Sequence, residues 1–163
     1  MPLMSCRTSS VFNKLTLIVS PIGGGKTRYL SNLNLPSPHC GVVTSSNIEK
    51  TIYHIKDLAG GEERLLLSEA YLPNARRFGR FFVLEETFDW ANERIISNLE
   101  ASKAVVFDEI GRIEIEGWGL KSSFLKALRT PAIEIYAAVR DTLLDQVLKT
   151  FDLEERISRI IRL

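Results

Sequence analysis

The sequence predicts an α/β fold, a mostly parallel central sheet flanked by helices with an antiparallel hairpin or meander added at one edge. Three observations carry this reading. Short apolar runs alternate with segments whose apolar residues recur every three or four positions, as helices packed on a sheet require. Two of the apolar runs end in unusual chemistry: Leu15–Val19 leads into a glycine-rich turn, and Ala104–Phe107 into adjacent carboxylates. Between them lie consecutive strand-like pieces that turn through glycines without an intervening helix.

Taken in order, Lys26–Leu33 can form only a short helix, because Pro36 and Pro38 stop it. Cys40–Ser45 reads as a strand. Thr51–Lys56 and Arg64–Leu67 are strand-like pieces around Leu58-Ala59-Gly60-Gly61, a turn of hairpin grade, and Gly79–Leu84 is a further short strand. Phe88, Ala91, Ile95 and Leu99 mark one face of an amphipathic helix with Thr87 near its N-cap. Ala104–Phe107 is wholly apolar, as a strand covered on both faces should be. Leu120, Phe124, Leu125 and Leu128 mark the next helix, which Pro131 ends; Ile133–Val139 is a buried strand. Leu143, Leu144, Val147, Leu148 and Phe151 form one more helical face, while Arg156–Leu163 fits a strand or a helix.

Composition sets the bounds. A chain of 163 residues, 45% hydrophobic and 25% charged, is expected to form one globular domain over residues 1–163, with 1–13 frayed. Its net charge of +1 makes no electrostatic case for nucleic acid or an anionic membrane as partner. Met1–Ser10 has neither an apolar h-region nor a bilayer-spanning run, so a cytoplasmic location is expected. Cys6 and Cys40 form no disulfide framework and are read as reduced thiols; His39 and His54 have no metal-ligand spacing.

The stretch Ser20-Pro21-Ile22-Gly23-Gly24-Gly25-Lys26-Thr27-Arg28 is the expected nucleotide-binding segment. Backbone N–H groups can wrap a polyphosphate only where side chains stand clear, and Gly23, Gly24 and Gly25 remove them. Lys26 can then place an ammonium among the outer phosphates, and the Thr27 hydroxyl can ligate a Mg2+ carried by the nucleotide. A helix starting there would also turn its positive dipole end toward the phosphates. Against the pattern G-x-x-x-x-G-K-[ST], Ser20 stands where the first glycine is expected, at a strand end that tolerates a small residue.

The second group is Asp108 and Glu109. At the carboxyl end of a strand beside such a loop, Asp108 can hold Mg2+ through its water shell, and Glu109 can orient and deprotonate a water attacking the γ-phosphate. Asp108-Glu109-Ile110-Gly111 also satisfies D-x-x-G, a pattern of GTPase switches, but no guanine-reading Asn/Thr-Lys-x-Asp element follows. Phosphoryl transfer needs further positive charge, for which Arg112 and Arg140 are the candidates beside Lys26. Glu114 could organise Arg112 or the water. Arg76, Arg77 and Arg80 read as a solvated face or, functionally, as a lid or acceptor-phosphate clamp.

Four stretches in order, S-P-I-G-G-G-K-T, G-V-V-T at Gly41–Thr44, F-G-R-F-F-V at Phe78–Val83 and D-E-I-G-R-I-E at Asp108–Glu114, resemble the small P-loop nucleoside-triphosphatase family known from thermophiles, of cancer-related nucleoside-triphosphatase type. That family's second motif is typically D-E-I-G-K-M-E, so Arg112 stands for its lysine and Ile113 for its methionine. The likeness runs from about Leu15 to about Phe151; Ser20 departs from it, as does the absence of a glycine-phenylalanine element between Ser45 and Leu67. The resemblance implies a RecA-like P-loop core, Mg2+ dependence, and slow hydrolysis of ATP, GTP and other nucleoside triphosphates with lax base readout. By position it implies Lys26 and Thr27 for phosphate and metal, Asp108 for metal and Glu109 for catalysis. The alternatives are a small P-loop kinase that phosphorylates a nucleotide or metabolite, and a nucleotide-dependent switch or adapter; no protein partner can be read from the chain.

Overall fold

The computed structural model describes residues 13–163. Of the segment expected to be frayed, residues 1–12, with Cys6, lie outside them, and Asn13 is held in place, its side-chain amide donating to the Leu128 carbonyl at 2.7 Å. In chain order the elements are β1 (Lys14–Ser20), α1 (Lys26–Ser31), β2 (His39–Ser46), β3 (Ile52–Asp57), β4 (Glu63–Ser68), β5 (Arg76–Phe78), β6 (Phe81–Val83), α2 (Glu85–Asn98), β7 (Ala104–Phe107), α3 (Arg112–Ile115), α4 (Lys121–Leu128), β8 (Glu134–Arg140), a 3-10 turn (Asp141–Leu143), α5 (Leu144–Thr150) and β9 (Ile157–Arg162). All strands join one mixed sheet in the order β5-β6-β4-β3-β2-β7-β8-β1-β9.

The sheet has two halves of different character. β2, β7, β8, β1 and β9 run parallel. β3, β4, β5 and β6 extend it as an antiparallel wing. Burial explains the division: every residue of β7 is buried, as a strand covered on both faces must be, whereas β3 mixes buried Ile55 with exposed Ile52 and Lys56. One face carries the main core, where α2, α4 and α5 pack over Leu17, Val42, Phe107 and Ile135. Edge-to-face contacts from Phe107 to Phe124 and from Phe124 to Phe151 tie β7, α4 and the end of α5 together. The opposite face is thinner: α1 covers Ile18, Val106 and Ala138 through Leu30.

One glycine is dictated by this packing. Gly41 in β2 has φ 120°, and a side chain there would run into the Val106 backbone of the neighbouring strand.

Most elements follow the periodicity, while α3, β5 and the 3-10 turn have no counterpart in the sequence-based expectations. Of the expected strand Gly79–Leu84 only Phe81–Val83 is a strand, and Gly79, at φ 57°, belongs to the turn that joins it to Arg76–Phe78 as a hairpin. Thr87 is not an N-cap: α2 starts two residues earlier at Glu85, and the buried Thr87 hydroxyl donates to the Leu65 carbonyl at 2.8 Å. Arg156–Leu163 is resolved in favour of a strand, because β9 completes the edge beside β1. Cys40 is a buried free thiol. Among the described residues no helix is long and apolar enough to cross a membrane.

Candidate functional site

β1 leads at Ser20 into the glycine loop. Gly23 and Gly25 take left-handed φ values of 74° and 89°, which glycine alone adopts without strain, and the Gly24 N–H closes a turn on the Pro21 carbonyl at 3.0 Å. A Cβ at Gly24 would lie 2.5 Å from the Ser20 hydroxyl, so the serine in place of the expected first glycine is accommodated by the glycine at position 24. Lys26 is buried and folds back over the loop: its Nζ donates to the Ser20 carbonyl at 3.4 Å, the Ser20 Oγ at 3.3 Å and the Pro21 carbonyl at 3.2 Å. Burial pushes the Lys26 ammonium below its ordinary range, Glu109 opposes this and Arg140 adds to it. Ile22 and Arg28 are exposed.

Strand order brings the second motif to this loop. Thr27 Oγ1 donates to Asp108 Oδ1 at 3.0 Å across 81 residues of sequence. The other carboxylate oxygen accepts from the Thr44 N–H at 2.9 Å and the Thr44 hydroxyl at 3.1 Å. Asp108 is buried, which raises its pKa, while these hydrogen bonds pull in the other direction. The Thr27 and Asp108 oxygens form a hard-donor pair of the kind Mg2+ takes from a protein. Among the described residues no group of three or more His, Cys, Asp or Glu side chains could hold a metal ion by itself.

β8 lies between β1 and β7, with Arg140 paired in register to Ser20. The residue leaving the end of β8 therefore stands between the loop and the acid pair. Arg140 Nε is 2.6 Å from Glu109 Oε1, and the two side chains remain 38% and 40% exposed. Glu109 itself sits at φ 73°, a strained conformation for a glutamate, and the next residue is anchored by Ile110 N–H donating to the Ala138 carbonyl at 2.8 Å.

Glu114 differs from its sequence-based expectation. Its buried carboxylate holds backbone, accepting from Gly111 N–H at 2.9 Å and Leu120 N–H at 3.0 Å, rather than organising Arg112. Burial pushes Glu114 up to about 7, against the pull of those two N–H groups. Arg112 opens α3 and lines the cleft beside Glu109, with no ion pair among the described residues. The arginine cluster is occupied elsewhere. Arg76 lies 4.1 Å over the Trp118 ring and pairs with Glu85, Arg77 lies 5.7 Å over Phe82, and Arg80 pairs with Glu69; none of them lines the cleft.

Two residues of the site escape sequence reasoning. Thr44 is one, visible only as the end of G-V-V-T. Lys50 is the other: its Nζ would stand 4.0 Å from a Cβ placed at Gly23. The loop between β2 and β3 is built to aim it, with Asn47 Oδ1 accepting from Thr51 N–H at 2.8 Å and Ile52 N–H at 3.0 Å, and Lys50 held at φ 56°.

The class of protein follows from these features: an α/β mixed-sheet protein with a glycine loop, a folded-back lysine and two carboxylates gathered at the carboxyl ends of its parallel strands. A family model described as NTPase matches residues 16–161, so the chain belongs to that NTPase family and is an NTP-hydrolysing enzyme. It is similar in fold to the solution structure of a human cancer-related nucleoside triphosphatase, with a TM-score of 0.66 and 17% identity over 92% of this chain and 88% of that one. No curated protein matches the chain.

Proposed function

We propose that the described residues, 13–163, form a single RecA-like P-loop domain that hydrolyses ATP, GTP and related nucleoside triphosphates to the diphosphate and phosphate in a Mg2+-dependent reaction. The observation that carries this reading is the hydrogen bond from Thr27 to Asp108, which joins the phosphate loop to the acid pair. The position of β8 between β1 and β7 supports the RecA-like assignment.

The residues then divide the work. The N–H groups of Gly23–Thr27 wrap the phosphates, and Lys26 exchanges its loop carbonyls for phosphate oxygens. Thr27 and Asp108 would hold Mg2+, which supplies charge neutralisation on the outer phosphates when bound. Glu109 orients the attacking water and takes its proton. In the free enzyme Glu109 is tied to Arg140 at 2.6 Å, so a γ-phosphate that draws Arg140 away also releases the base. Arg140 and Arg112 face the charge that develops on the transferring group. The net charge of +1 supports a small anionic substrate over nucleic acid or membrane, and a buried free Cys40 is in keeping with a cytoplasmic location.

The test is Glu109→Gln, assayed with Mg2+ and ATP or GTP. Turnover is expected to fall by about 10²- to 10⁴-fold while nucleotide binding persists. Lys26→Ala should lose binding as well. Turnover of Glu109→Gln at the wild-type rate would remove Glu109 from the role of base.

A further inference from the structure

A cavity of about 350 Å³ opens beside Asp108, Glu109 and Arg140 and runs under the antiparallel wing. Ile55, Leu66, Phe78, Phe81, Phe88 and Leu120 give it a mostly apolar wall, in which Tyr53 and the buried Glu114 are also set. Polar groups gather at the mouth, where Thr44, Arg112 and Thr142 join the acid pair. No residue of the Ser20–Arg28 loop lines it. The cavity therefore begins where a γ-phosphate would end and leads away from the phosphate loop. A triphosphate has no use for aromatic walls, and a nucleobase departs from the opposite end of the phosphate chain.

We infer that this cavity is a phosphoryl-acceptor pocket for a small alcohol with an aromatic or branched apolar body, whose hydroxyl is presented to Glu109. This rests on the reading of Glu109 as the base. The volume falls in the range of small-molecule sites, and an apolar depth with a few convergent polar groups at one end is the usual architecture of such sites. An apolar body in the pocket would displace water from the mouth and leave the hydroxyl as the nucleophile nearest Glu109. The acceptor oxygen then forms a bond to the γ-phosphorus, the bond from that phosphorus to the bridging oxygen breaks, the hydroxyl proton passes to the Glu109 carboxylate, and the diphosphate leaves. Hydrolysis is the same displacement with water in the pocket mouth.

The experiment follows transfer of γ-labelled phosphate from ATP to 2-phenylethanol and 2-(4-hydroxyphenyl)ethanol, with glycerol as a polar control. Labelled phosphate esters of the aryl alcohols, with little or none from glycerol, are expected. Leu67 lines the cavity away from the acid pair, and Leu67→Trp should lower transfer by about tenfold or more while hydrolysis without acceptor stays within about twofold. Should Leu67→Trp fail to fold, Phe81→Ala serves instead and should raise the acceptor KM with hydrolysis retained. Absence of ester from every alcohol overturns the inference, as does transfer that Leu67→Trp and Phe81→Ala leave untouched. Those results leave the hydrolytic reading standing if Glu109→Gln still abolishes hydrolysis. Hydrolysis surviving in Glu109→Gln sinks that reading on its own.

Discussion

The parallel half of the sheet and its antiparallel wing both carry many charged side chains, and they use them in opposite ways. At the carboxyl ends of the parallel strands three charges are buried and bonded, while Glu109 and Arg140 pair half-exposed beside them: Asp108 accepts three hydrogen bonds, Lys26 folds onto Ser20 and Pro21, and Glu114 clamps Gly111 to Leu120. In the wing the pairs Arg64–Glu62, Arg76–Glu85 and Arg80–Glu69 lie on the surface, with arginine exposures of 45%, 46% and 66%. Exposed pairs contribute only about 0–1 kcal/mol each. A cluster of arginines in a sequence is therefore ambiguous until burial is known. The exception in the wing supports the rule: Asp57, fully buried, accepts from Gly60 N–H and from Arg94 and thereby fixes the β3–β4 turn against α2.

The contrast is sharpest between Asp108 and Arg80. Asp108→Ala should reduce turnover by about 10²- to 10³-fold and flatten its dependence on Mg2+ concentration, whereas Arg80→Ala should change turnover by less than about twofold. Steady-state rates over a Mg2+ titration decide this. Equal losses in the two variants would erase the distinction between the halves.

Glu114 allows a second test of burial. Its folded-state pKa, about 7, lies above the 4.5 of an unperturbed glutamate, so between those values the folded state binds more protons than the unfolded one. The associated stability is fully present below pH about 4.5 and is lost as pH rises through about 7, an effect on the order of 3 kcal/mol. Asp108, also raised by burial, acts in the same sense. Denaturant titrations from pH 5 to 8 should show the decline in the wild type and a weaker one in Glu114→Gln; a parallel decline in both would assign it to other groups.

Arg140→Ala comes next. It removes the cation proposed to face the transferring group and frees Glu109 at once, so kcat should fall by about 10- to 100-fold. A kcat within about twofold of the wild type would mean that Arg140 acts neither on the transferring group nor on Glu109, 2.6 Å away. A smaller effect within the site belongs to Lys50, whose ammonium stands 4.0 Å from the place a Cβ at Gly23 would take. Lys50→Ala should raise the KM for ATP by about tenfold, in line with loss of one charge-assisted hydrogen bond, with kcat little changed. No change in KM would place Lys50 with the surface charges of the wing.

Much of the fold was legible because its signals are local. The four apolar residues of Ala104–Phe107 coincide with β7, and the turn at Leu58–Gly61 separates β3 from β4. Misreadings fell where local signals compete. Gly79 read as the start of a strand because Phe81, Phe82 and Val83 follow it, yet its left-handed φ makes it the turn of a hairpin. Thr87 has the chemistry of an N-cap but buries its hydroxyl against Leu65 instead. At the site, the glycine loop and the Asp108-Glu109 pair were legible as residue types at fixed spacing. Lys50 was not, since nothing in its own neighbourhood marks it, and Thr44 stood only as the end of G-V-V-T, with no local sign that it would meet Asp108.

By itself the sequence determined the α/β class, the glycine loop and the presence of an acid pair at a strand end, because backbone freedom and periodic burial are properties of adjacent residues. Only the tertiary structure decided that β8 enters between β1 and β7, that Thr27 reaches Asp108, that Arg140 binds Glu109, and that the arginines of the wing face elsewhere. Those contacts join residues far apart in the chain, and their geometry is set by strand order and shared burial, which no local pattern encodes.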